Sequence, residues 1–136
     1  MREMSKPIAR SGVVSAPRIL VVEDEIDVAL LISYNLEAEG YVVESVARGD
    51  EAELRLAESA PDLLILDWML PGVSGIELCR RLRADGMTRK IPLIALSANA
   101  MPDDISRARA AGFDVYLTKP IDVIRMLAEI ERLLPT

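Results

Sequence analysis

Glu23-Asp24-Glu25, Asp67, Ser97 and Lys119 stand at or just beyond the ends of four short apolar runs. In an open α/β sheet, sites form at the carboxyl ends of the strands. These groups would therefore meet on one edge. Several carboxylates brought together repel one another and need a cation. Hard oxygen ligands suit Mg2+, which keeps several waters and often bridges to phosphate. A carboxylate such as Asp67 can act as a covalent nucleophile toward phosphorus. A metal and a lysine would neutralise the transferring group, and a serine hydroxyl would hydrogen-bond one of its oxygens. Taken singly, each residue also has an ordinary reading. The three acids could complement a helix N-terminus, Asp67 could cap a loop, Ser97 could be a turn residue, and Lys119 a solvated charge. Four strand ends that supply matched groups together favour the chemistry.

The elements that must position them are readable from the apolar pattern. Ile19-Leu20-Val21-Val22 and Leu63-Leu64-Ile65-Leu66 are continuous apolar runs, as expected for parallel strands buried on both faces. Further strands are expected at Tyr41–Val46, Ile91–Leu96 and Val115–Leu117. Helices are expected from about 26 to 39, closed by Gly40, and over 50–59. A third would run from a cap at Ser74 to about 85, and a fourth over 102–111, opened by Pro102 and closed by Gly112. The last would cover 121–134. Strands alternating with helices imply a parallel sheet covered on both sides. The domain is read as residues 18–134, preceded by a flexible leader over 1–17.

Composition excludes several functions. The chain has 136 residues, enough for one domain, and 51% are hydrophobic. Net charge is −6, and since three basic and one acidic residue precede Arg18, the remainder carries −8. An acidic body argues against direct nucleic-acid binding. There is no histidine, so histidine catalysis and histidine metal ligation are excluded. No apolar run reaches the ~18 residues of a membrane helix. The single cysteine, Cys79, fits a reducing compartment, and the chain reads as cytoplasmic.

The stretches Ile19-Leu20-Val21-Val22-Glu23-Asp24-Glu25, Leu66-Asp67-Trp68-Met69-Leu70-Pro71-Gly72 with Gly75, Leu96-Ser97-Ala98 and Tyr116-Leu117-Thr118-Lys119-Pro120 resemble the receiver domains of bacterial two-component response regulators. The resemblance spans roughly residues 18–134. It implies a flavodoxin-like (βα)5 doubly wound sheet of strand order 2-1-3-4-5. It implies that Asp67 is phosphorylated by a histidine kinase or histidine phosphotransferase. Asp24, Asp67 and the backbone carbonyl of Met69 would bind Mg2+, with Glu23 acting through water. Lys119 would contact the phosphoryl group, next to a cis peptide before Pro120. Ser97 and Tyr116 would form the switch pair that reshapes the face of the fourth helix, fifth strand and fifth helix. The protein would be a signalling switch, not an enzyme with a metabolite product. With no effector sequence after Leu134, it is expected to be a stand-alone receiver. The first pair is Glu-Asp where Asp-Asp is common, and the hydroxyl is Ser where Thr is common.

Two rivals fail on residues. A dehalogenase-type hydrolase wants a second acid two residues after its aspartate, where Met69 stands. A nucleotide-binding domain wants a G-x-G-x-x-G or a P-loop, and neither occurs. A receiver-like interaction module or phosphate sink is the remaining alternative. In the first helix Val28, Leu31, Ile32 and Leu36 should pack on the sheet. Ile26, Leu30 and Tyr34 recur every four residues on roughly the opposite side and suggest a docking or homodimer surface.

Overall fold

The computed structural model describes residues 16–99 and 101–134. Its elements alternate throughout: β1 Arg18–Val22, α1 Ile26–Ala38, β2 Val42–Val46, α2 Gly49–Glu58, β3 Leu63–Asp67, α3 Gly75–Ala84, β4 Leu93–Ser97, α4 Pro102–Ala111, β5 Val115–Thr118 and α5 Val123–Leu133. The strands form a single parallel sheet of order β2-β1-β3-β4-β5. Every residue of β3 and of β4 is buried, which is why both read as unbroken apolar runs before their final polar residue. β2 lies at the edge and its Val42 is exposed, so its pattern is weaker.

Side chains alternate across the sheet and divide the core in two. Ile19, Val21, Leu63, Ile65, Ile94 and Leu96 pack with Ile32 and Leu36 of α1 and Met126 and Ile130 of α5. Leu20, Val22, Leu64, Leu66 and Ala95 pack on the other face with α2, α3 and α4. Each fully buried Leu or Ile contributes about 1.5–3 kcal/mol relative to an exposed one. The register pairs Val22 with Leu66, Asp67 with Leu96 and Ser97 with Thr118. The carboxyl ends of β1, β3, β4 and β5 therefore finish level, and their next residues share one edge.

Most sequence-based bounds hold within two residues. β4 starts at Leu93, after Pro92, which has no N–H to give a ladder. α5 starts at Val123, because Asp122 caps it by accepting from the Arg125 amide. Ser74 caps α3 as expected, accepting from the Glu77 amide at 3.2 Å. Leu31 is a correction: it is 42% exposed and lies outside the buried core that Ile32 and Leu36 join. It lies about 100° round the helix from Ile32, outside the stripe that Ile32 and Leu36 bury. Residues 1–15 of the expected leader lie outside the described residues. The Pro17 carbonyl already accepts from the Val42 amide, so the sheet's bonding begins there.

Arg83, near the end of α3, ties three segments together. Its guanidinium donates to the carbonyls of Gly112 at 2.9 Å, and of Arg89 and Ile91 at 2.7 Å, and to the Asp114 carboxylate at 2.9 Å. That same carboxylate accepts from the amide of Leu93, the first residue of β4. Arg83→Met is expected to lower stability by about 2 kcal/mol, since charged donors to backbone acceptors contribute about 1.5–3 each and these are partly open to water. Urea unfolding checks it, and Arg83→Lys should recover little, because an ammonium lacks the fork that spans four acceptors.

Candidate functional site

Glu23 continues the line of β1, its amide donating to the Val46 carbonyl at 3.0 Å. That draws its side chain into the sheet edge, where it is 2% exposed. One carboxylate oxygen accepts from the Glu25 amide at 2.9 Å. The other, Oε1, lies 2.9 Å from the Lys119 ammonium but has no aligned hydrogen-bond donor. Asp24 follows, exposed at the mouth.

Asp67 is the last residue of β3 and is 5% exposed. Its Oδ1 accepts from the Met69 amide at 3.2 Å, and its Oδ2 lies 3.4 Å from Lys119 Nζ. The backbone behind it is close-packed. A Cβ on Gly75, at the start of α3, would stand 2.4 Å from the Asp67 carbonyl oxygen, so only glycine permits this approach. Lys119 reaches in from the end of β5 and precedes a cis bond to Pro120, as expected. Its amide donates to the Ser97 carbonyl, and its Nζ meets Glu25 at 2.6 Å, Glu23 at 2.9 Å and Asp67 at 3.4 Å.

Ser97 and Tyr116 converge on one loop residue. The buried Ser97 hydroxyl accepts from the Asn99 amide at 3.0 Å. The Tyr116 hydroxyl donates to the Asn99 carbonyl at 2.6 Å. Tyr116 also meets Trp68 edge-on at 6.1 Å, and the Arg107 guanidinium of α4 lies 5.6 Å over the Trp68 ring. The loop after β4, the residue after Asp67 and α4 are thus mechanically joined.

The response regulator receiver domain family matches residues 19–131, most of the chain. The chain belongs to this family. It is 52% identical over 118 residues to the phosphate regulon transcriptional regulatory protein PhoB of Rhizobium meliloti, covering 87% of this chain and 52% of that protein. The chain thus spans about half the length of the curated relatives it matches. The receiver domain of a histidine kinase from Syntrophus aciditrophicus superimposes with a TM-score of 0.82 at 37% identity, over 88% of this chain and 90% of that one. The receiver domain of a sensor histidine kinase from Pseudomonas aeruginosa, solved with a magnesium ion coordinated in the active site cleft, superimposes at 0.80 with 32% identity, over 88% of this chain and 98% of that one.

The electrostatics of this receiver's cleft are those of a site short of positive charge. Burial, and then the Glu23 charge, push the Asp67 carboxyl from 3.8 up to about 7, against the pull of Lys119 and the Met69 amide. Burial alone would lower Lys119, but the hydrogen bond to Glu25 and the charges of Asp67 and Glu23 outweigh it, and the ammonium is held above its ordinary value. Carboxylate oxygens of Glu23, Asp24 and Asp67 all lie within 4.8 Å of one another. With an undonated buried oxygen on Glu23, this donor set fits a small hard dication. The Met69 amide faces Asp67, while its side chain is exposed beside the cleft. The expected site residues Glu23, Asp24, Asp67 and Lys119 come together, and Ser97 and Tyr116 meet beside them through Asn99. Glu25 is the residue that sequence reasoning undervalued. The sequence puts it on this edge beside the other acids but assigns it no role of its own, since its partner Lys119 lies 94 positions away.

Proposed function

We propose that Asp67 accepts a phosphoryl group from a phosphohistidine donor, and that this changes the face built by α4, β5 and α5. The observation that carries this reading is the position of Asp67: a buried carboxylate at a strand end, next to two further acids and a lysine. An Asp67 carboxylate oxygen attacks phosphorus in line as the donor's P–N bond breaks; the bonding pair stays on that ring nitrogen, and the imidazole leaves neutral because its other nitrogen already carries the donor's own proton. Lys119 offsets charge on the phosphoryl oxygens, and the Ser97 hydroxyl donates to one of them. Mg2+, held by Asp24, Asp67 and the Met69 carbonyl with Glu23 through water, would neutralise the cleft and the phosphoryl charge. Once Ser97 turns toward the phosphoryl group, its hold on Asn99 weakens. Tyr116, bonded to the same residue, is then free to turn inward. The product is a state of the protein; slow hydrolysis of the acyl phosphate returns it to the start. A lone, buried cysteine and the reliance on a kinase's phosphohistidine agree with a cytoplasmic setting.

Incubation with Mg2+ and acetyl phosphate should add about 80 Da, the mass of one HPO3 group. Borohydride reduces an acyl phosphate to an alcohol, so reduction of the adduct should convert residue 67 to homoserine. A peptide map with the conversion at any other residue overturns the reading.

The donor's docking surface is proposed to lie on α1, beside the cleft. Ile26, Leu30 and Tyr34 are 73%, 62% and 74% exposed, one turn apart, and lead away from Glu25. Leu30→Ser with Tyr34→Ser should slow transfer from a phosphorylated histidine phosphotransferase at least about tenfold, as losing interface anchors does. Phosphorylation by acetyl phosphate should be unchanged. Equal rates with both donors would rule the surface out, and a homodimer through it would show as a fall in mass by light scattering.

A further inference from the structure

Glu25 has a side chain whose position the fold alone does not explain. It is the N-cap residue of α1, yet its carboxylate caps nothing. It crosses the mouth of the cleft and takes the Lys119 ammonium at 2.6 Å, while Asp67 is 3.4 Å from the same nitrogen. Glu23 is fully buried at 0% side-chain exposure, whereas Glu25 keeps 60%. Of the three carboxylates around the ammonium, Glu25 is therefore the one whose pair with Lys119 is most solvated and least costly to break. We propose that Glu25 is a positioning residue, which holds the Lys119 ammonium at the outer lip of the cleft and competes with a phosphoryl group on Asp67 for it.

The inference rests on the reading that Lys119 contacts that phosphoryl group. An ammonium has three protons and no preferred plane, so it can exchange one carboxylate for a phosphoryl oxygen without moving its stem far. A phosphoryl group on Asp67 must win the ammonium from Glu25 before Lys119 can stabilise it fully. Removing the Glu25 charge removes the competitor and leaves the rest of the cleft as it was. The result is a phosphorylated state held more tightly than in the natural chain. Glu25 thereby limits how firmly the switch stays on.

The test uses beryllofluoride, an anion that binds aspartate carboxylates as a phosphoryl mimic, at saturating Mg2+, with Trp68 fluorescence as the readout. Glu25→Gln keeps the shape and loses the charge, and should tighten binding about two- to fivefold, the size expected of a half-solvated ion pair. Glu25→Ala should do the same, since the side chain makes no cap that folding needs. Lys119→Met should weaken binding, and Glu25→Gln added to it should change nothing further, because the competition needs the lysine. Unchanged or weaker binding by Glu25→Gln, with Lys119→Met still weak, overturns the inference and leaves the phosphotransfer reading standing. The same tightening with and without Lys119 also overturns it, since a general charge effect would then suffice. Binding undiminished in Lys119→Met, and in Lys119→Gln as a second variant, removes the reading on which the inference rests.

Discussion

Asp67→Asn is expected to abolish the acetyl phosphate adduct and, without Mg2+, to make the folded chain more stable by about 2 kcal/mol at pH 7.5. An amide cannot attack phosphorus, so the first effect is complete. The second follows from the cleft's shortage of positive charge. Asp67 and Glu23 are both buried and share one lysine, which also serves Glu25. The amide removes one of the opposed charges and still accepts from the Met69 amide, while Glu23, whose charge raises Asp67 more than any other neighbour's, keeps the shared lysine with one competitor fewer. Mg2+ should narrow the difference, because it stabilises the natural cleft by binding while the variant has lost a ligand. Urea unfolding in EDTA and in Mg2+ measures both arms. A variant less stable than the natural chain in EDTA would show that the Asp67 charge is not strained.

The same strain has a pH signature of definite sign. The Asp67 carboxyl has an ordinary value of 3.8 and sits at about 7 in the fold. Between those values the folded state holds a proton that the unfolded chain has released, so stability falls as pH rises. The contribution of this group is thus intact below about pH 4 and fully lost above about pH 7. The advantage of Asp67→Asn in EDTA should accordingly grow across that window and level off above it. Binding of Mg2+ must displace the same proton, so its apparent affinity should climb through pH 7.

How far this site was legible in the sequence differs from residue to residue. Asp67, Glu23, Asp24 and Lys119 were visible because a parallel sheet ends its strands together, and apolar runs mark strands. Ser97 was visible for the same reason, but what its hydroxyl touches was not, because a backbone amide such as that of Asn99 has no signature in residue type. The convergence of Ser97 and Tyr116 on Asn99 depends on how the loop after β4 turns. Leu31 was misplaced because apolar spacing sets a helix's direction without setting how wide a stripe the sheet covers. Glu25 was undervalued because pairing across 94 residues follows from strand order and loop path, which composition and spacing do not encode.

Lys119→Met should act on stability in the opposite direction to Asp67→Asn and on phosphotransfer in the same one. Methionine keeps much of the apolar stem, so the packing loss is small. What goes is the cation shared by Glu23, Glu25 and Asp67. Glu23 cannot turn to water, since its side chain is fully buried. Removing one partner of a buried pair strands the other, at about 3–5 kcal/mol in the fully buried case. Here Asp67 can take up a proton and Glu25 is solvated, so about 2–3 kcal/mol at pH 8 in EDTA is expected. The loss should shrink toward pH 5, where Asp67 is protonated, and Mg2+ should reverse most of it by supplying another cation. Phosphorylation by acetyl phosphate at saturating Mg2+ should nonetheless fall about a hundredfold, the usual result of removing one donor to a developing anion. Restored stability with lost transfer assigns two jobs to one ammonium: holding the acids together in the resting cleft, and meeting the phosphoryl group when it arrives. If Mg2+ restored both equally, Lys119 would be only a counterion, and transfer would depend on the metal and Asp67 alone.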